Sequence, residues 1–279
     1  METNLLMQVP LNVFPFYLLI FLFTAIYYTK IYVRSRGAKN FNERNIWYRA
    51  NIDSIQKTIN VAVVLAFVLM VLIVLKNLDT LFSVSTAQVL LIIAFPTIAA
   101  WYTSSPKFLP FKKIRQFGWI KPFIIGLTWA GWVTVYPIIM LQIQRAHSIM
   151  YGTLPPVLLL LQNFLFFSIN AIIFDVKDFR TDFKHNLKTY PVILGVRKTF
   201  RYIIVPAIIV NIVIVVMFQI QQHYSAVQTA IQFIPYILLI CVVAFYKPHR
   251  KLLYYLVVVD GLVFVKAVCG ISSILFFKK

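Results

Sequence analysis

Acidic side chains are nearly absent from this sequence. Asp and Glu supply 8 of its 279 residues against 27 Lys and Arg, and charged residues of both signs make up only 13%. So low a charge content excludes a disordered chain, which needs many charges and few apolar residues. Cysteine is scarce as well. Cys241 and Cys269 both lie in apolar runs, a spacing that makes neither a disulfide framework nor a metal cluster, so they read as small core hydrophobes. The four histidines, His147, His185, His223 and His249, show no ligand spacing. No linker, low-complexity tract or soluble domain interrupts the chain. The first apolar run, beginning near Leu11, lacks the basic flank and small-residue cleavage site of a signal peptide, which predicts a retained span.

What the chain has in excess is apolar surface. Hydrophobic residues make up 61% and the mean hydropathy is +0.82, well above a soluble domain. Apolar runs recur at residues 11–33, 58–76, 86–104, 118–140, 153–174, 202–220, 228–246 and 253–276. Each can cross ~30 Å of hydrocarbon as a helix. The fold class expected is therefore an all-α membrane protein, a polytopic bundle of about eight transmembrane helices forming one domain over residues 1–279. Prolines 96, 137, 206 and 235 predict kinks within spans.

The net charge of +19 would suggest nucleic acid in a soluble protein, but its distribution argues topology instead. Segments 34–57, 105–121, 175–201 and 247–251 hold six, five, seven and three Lys/Arg. The intervening loops hold almost none. The positive-inside rule makes the basic segments cytoplasmic and puts both termini on the opposite side, with membrane lipid as the surrounding partner and no nucleic acid.

Three of the eight acidic residues crowd into Asp175-Val-Lys-Asp178-Phe-Arg-Thr-Asp182. On a helix they fall within an arc of roughly 60°, where like charges repel. A divalent ion turns that repulsion into a site, because Mg²⁺ takes carboxylate oxygens and shares them with substrate phosphates. Near them in sequence stand Lys177, Arg180, Lys184 and Lys188, and the loop before residue 122 adds Lys112, Lys113, Arg115 and Lys121.

The stretch Asn170–Gly195, NAIIFDVKDFRTDFKHNLKTYPVILG, resembles the second Asp-rich motif of the UbiA family of intramembrane prenyltransferases, roughly D-x-x-x-D-x-x-x-G-x-x-T-x-x-x-x-x-G. Asp178, Asp182, Thr189 and Gly195 keep its register, Asp175 lies one turn earlier, and Asn186 stands where the motif has glycine. Tyr102-Thr-Ser-Ser-Pro106, followed by KKIRQFGWIK, Pro122 and Trp129, looks like that family's loop before its central helix. The family's first Asp-rich motif has no counterpart. Residues 27–56 offer only Glu43 and Asp53.

The resemblance implies Mg²⁺-dependent transfer of an isoprenyl group from a prenyl diphosphate to a lipophilic, aromatic-type acceptor. It implies that Asp175, Asp178 and Asp182 hold metal, with Asp178 and Asp182 catalytic, and that Lys112, Lys121, Arg180 and Tyr102 contact substrate. Arg44 and Arg49, in a basic run with Trp47 and Tyr48, either meet lipid headgroups or clamp diphosphate in place of the missing motif. His185 is a candidate proton acceptor. The alternative is a non-catalytic descendant that binds an isoprenoid or quinone-type lipid. Asp260 and Lys266 are charges within the last run and so also candidates for function. An ion-coupled transporter would need more such charges.

Overall fold

The structure is a computed structural model that describes residues 1–34, 43–81, 84–103, 118–145, 153–247 and 250–277, and every regular element among them is helical. Hydrocarbon cannot satisfy backbone polar groups, and a helix satisfies them within one segment. The helices are α1 (Glu2–Leu6), α2 (Phe14–Arg34), α3 (Glu43–Ala50), α4 (Ile52–Lys76), α5 (Leu78–Leu81), α6 (Thr86–Thr103), α7 (Lys121–Gln144), α8 (Leu154–Lys184), α9 (Tyr190–Leu194), α10 (Val196–Gln221), α11 (Ala226–Ala244) and α12 (Leu252–Leu275). Proline in the first turn starts α7, α8 and α9, where its missing N–H costs no bond. Ser225 starts α11 through a reciprocal capping box with Gln228.

Six helices, α4, α7, α8, α10, α11 and α12, are long and apolar enough to cross a membrane, and α2 and α6 carry the shorter apolar stretches Phe14–Lys30 and Thr86–Ala99. All eight coincide with the apolar runs of the sequence. Val61, Val64 and Phe67 on α4 are each at least 60% exposed, surface that belongs in hydrocarbon rather than water. The chain is an integral membrane protein.

Two of the expected kinks take a specific form. π-helical turns over Gly131–Val135 and Phe200–Ile204 immediately precede Tyr136-Pro137 and Val205-Pro206. A proline cannot donate to the carbonyl four residues back, and widening the turn before it accommodates that loss. A third π turn, Tyr255–Val259 in α12, has no proline beside it.

The chain forms two compact units, one of Met1–Leu11, Thr86–Ile139 and Ser148–Lys279, the other of Asn12–Ser85 and Met140–His147. In the second, α2 packs on α4 through Leu19, Leu22, Ala66 and Leu69. In the first, α8 is the central helix and packs against α7 and α10, while α11 packs on α12 and α1 on α12. Close approach of α7 and α8 depends on Gly126. A Cβ there would lie 2.7 Å from the Phe164 carbonyl oxygen, the small-residue device of membrane helix pairs. The main core joins Phe166, Ile169 and Ile173 to Ile204, Val215, Tyr236, Leu239 and Tyr255.

Buried polar contacts cross this unit. Asn163 Nδ2 donates to Thr134 Oγ1 at 2.8 Å, Gln162 Nε2 to the Tyr236 hydroxyl at 2.8 Å, and Gln232 Nε2 to Ser273 Oγ at 3.1 Å. Lys266, 5% exposed, lies 2.8 Å from Glu2 Oε1 and 5.9 Å from the centre of the Phe166 ring. Lys266 thus does reach the bundle interior. Asp260, by contrast, is exposed.

Candidate functional site

The Asp-rich stretch does not end the span at residue 174. Helix α8 runs on to Lys184, so all three aspartates are helical. Their environments differ sharply. The Asp175 side chain is fully buried, Asp182 is 6% exposed, and the Asp178 side chain is 43% exposed. A rise of ~1.5 Å per residue separates Asp175 from Asp182 by ~10 Å along the axis, so one small ion cannot bridge them. Neighbouring pairs, Asp175 with Asp178 and Asp178 with Asp182, are within one turn.

Lys121, the first residue of α7, donates from Nζ to Asp175 Oδ1 at 2.6 Å. Its charge also acts on Asp182. Asp178 pairs with Lys177 at 3.1 Å, and that ammonium lies 5.7 Å from the centre of the Phe174 ring. Asp175 Oδ2 is buried with no hydrogen-bond partner, while the buried Asp182 carboxylate and Thr189 hydroxyl interact with one another without a well-formed hydrogen bond. A buried carboxylate oxygen left unsatisfied is costly, so these oxygens present a site suited to a hard cation or a proton donor.

The backbone explains how Thr189 comes back against Asp182. Leu187 N–H donates to the Asp182 carbonyl and Asn186 N–H to the Phe183 carbonyl, with Asn186 at φ 53°. This is the Schellman ending of a helix, which places a left-handed residue directly after the cap. Asn is the side chain best able to replace glycine there. Asn186 therefore occupies a position whose left-handed backbone glycine also adopts readily. Gly195, at φ 81°, does need glycine, although open space surrounds its missing Cβ.

Residues 118–121, the described end of the loop before α7, meet the Asp-rich stretch in space. At Gly118 a Cβ would lie 2.8 Å from the Thr189 nitrogen and 2.9 Å from the Lys188 carbonyl carbon. Backbone thus rests on backbone beside the Lys121–Asp175 pair. Phe123 then faces Tyr190 edge-on, ring centres 6.3 Å apart. Burial raises the Tyr190 phenol above its usual pKa, which keeps it a neutral donor.

Of the residues singled out in the sequence, Asp175, Asp178, Asp182 and Lys121 are brought together. Lys121 is engaged by Asp175. Arg180 and His185 are exposed at the end of α8. Lys112 and the side chains of Tyr102, Arg44 and Arg49 lie outside the described residues. Among the described residues no three His, Cys, Asp or Glu side chains form a group that could hold a metal ion. Sequence reasoning passed over Gly118, Tyr190 and Asn170. Asn170 is 6% exposed, with both amide atoms buried and without a partner. The one signal for it is its position as the amide nearest Asp175, in an apolar run that also holds Gln162 and Asn163.

No protein-family model, curated protein or solved structure matches the chain. The family reading rests on the motif residues and their placement.

Proposed function

We propose that this protein is a UbiA-type membrane prenyltransferase, with eight spans, basic loops on the cytoplasmic side and both termini opposite. It would transfer an isoprenyl group from a prenyl diphosphate to a lipophilic, aromatic-type acceptor. The observation that carries the proposal is the contact of residues 118–121 with the Asp-rich stretch, Gly118 against Thr189 and Lys121 on Asp175.

The side chains fit Mg²⁺ in kind, because the buried Asp182 Oδ2 makes no well-formed hydrogen bond and the Asp178 carboxylate lies near it on the same helix. Mg²⁺ commonly takes one or two carboxylates and completes its shell with water and substrate phosphate, so a closed three-carboxylate cage is not required. Asp178 and Asp182, one turn apart, would hold it. Bound there, it would supply Lewis-acid stabilisation of the departing diphosphate. Lys121 keeps Asp175 ionised and oriented, and its positive charge sits where negative charge develops on the leaving group. The allylic C–O bond breaks with its electron pair leaving on diphosphate, the acceptor carbon bonds to the allylic carbon, and the acceptor loses a proton.

The test is to incubate purified protein with radiolabelled prenyl diphosphates of several lengths, Mg²⁺ and a lipid extract. Transfer that is lost in Asp182→Asn supports the proposal. Neither transfer nor diphosphate release at any length rejects it. One observation favours a second reading, a non-catalytic isoprenoid-binding protein. Lys121 already neutralises Asp175, leaving fewer carboxylates for metal. Diphosphate binding that needs Lys121 but releases no product would select that reading.

A further inference from the structure

Away from the aspartates, α11 and α12 do not pack along their whole length. They leave a groove of about 510 Å³ whose walls include Leu238 and Cys241 on α11 and Tyr254, Val257, Gly261 and Phe264 on α12. Two features open it. The π turn Tyr255–Val259 widens α12, and Gly261 contributes no side chain where a Cβ would meet nothing within 4 Å. The volume lies within the ~300–1,000 Å³ typical of small-molecule sites, and its named walls are apolar apart from Tyr254 and Cys241.

The groove has a direction. From Tyr254 to Val265 it runs ~16 Å along α12, about half of a ~30 Å hydrocarbon layer. Its outer end is basic. Lys247, Arg250 and Lys251 are exposed there, and the Arg250 guanidinium stacks 4.9 Å from the centre of the Tyr254 ring. Further in, the walls are the apolar side chains of Val257, Val258, Leu262, Phe264 and Val265. An anionic headgroup is therefore favoured at the mouth, and the apolar walls further in suit an uncharged chain.

We infer that this groove is a binding site for one anionic phospholipid, its phosphate at Arg250 and Lys251 and one acyl chain lying between α11 and α12 over Gly261. The occupant belongs to the leaflet that faces the basic loops, and it stays with the protein rather than exchanging with surrounding lipid.

The experiment uses the full chain, delipidated in detergent and titrated with phosphatidylglycerol or phosphatidylcholine under native mass spectrometry. One phosphatidylglycerol should bind about tenfold more tightly than phosphatidylcholine, since its headgroup is net anionic whereas choline offsets the phosphate. Arg250→Gln with Lys251→Gln should erase that preference. Gly261→Leu, which fills the groove without a clash, should weaken both lipids. A measurement on the unfilled groove guards against misfolding of a variant. In a Cys269→Ser background, alkylation of Cys241 should slow when phosphatidylglycerol is added and stay unchanged with inorganic phosphate. Equal binding of the two lipids, an unaltered Cys241 rate, or protection of Cys241 by dimer formation without lipid would each overturn the assignment.

Discussion

Lys121 and Asp175 show how one contact fixes the chemistry around it. The carboxylate is fully buried while its partner is about one-third exposed, so the two are not equivalent. Losing one member of a buried pair costs about 3–5 kcal/mol because the other charge is left uncompensated. Lys121→Met should therefore destabilise the protein by roughly that amount, and Asp175→Asn added to it should restore much of the loss. Thermal unfolding of the single and double variants in one detergent checks this. Asn186 gives a second prediction. A β-branched residue resists left-handed φ by roughly 1–2 kcal/mol, so Asn186→Val should lower stability by about that much while Asn186→Gly is neutral or stabilising. Equal melting of the two variants would mean that the turn does not hold Thr189 in place.

At the scale of elements, the apolar runs announced the helices, but their ends were less legible. The run 153–174 stops where charge begins, yet α8 continues ten residues to Lys184. Helical periodicity persists through polar sequence whenever one face stays buried, and here Asp175, Val176 and Asp182 supply that face. The run 202–220 begins late for a related reason, since α10 starts at Val196 with Arg197 and Lys198 exposed in its first turn. Placing the aspartates on one helical face was sound. Their unequal burial was not readable, because it depends on Gly118, Lys121 and Thr189 arriving from other elements. Gly126 shows the same limit, being unremarkable in sequence and necessary in packing. Gly126→Val should separate α7 from α8, and loss of Lys121-dependent diphosphate binding together with a lower melting temperature would report it. Binding that survives would show that the two helices need not meet closely at this point.

Across the whole molecule, the distribution of Lys and Arg makes a prediction about orientation. In a background of Cys241→Ser and Cys269→Ser, Lys184→Cys and Lys247→Cys should react with an impermeant maleimide from one side of sealed membranes. Gln222→Cys should react from the other. Labelling of all three from the same side would overturn the positive-inside assignment. The apolar runs make the class of protein legible in the sequence, but no local pattern reveals that Glu2 and Lys266, so far apart in the chain, are partners.

That last pairing also bears on how the protein is made. Glu2 meets Lys266 across 264 positions of sequence, and chains emerge from the ribosome amino end first. Helix α1 therefore precedes α12 in synthesis, and until α12 is made Glu2 lacks its Lys266 partner. Lys266→Met should leave α1 undocked even in the finished chain, and a protease cutting near Val9 in the variant, but not in the parent, would reveal it. A contact that spans 264 positions thus makes the seating of α1 a report on whether α12 has been inserted.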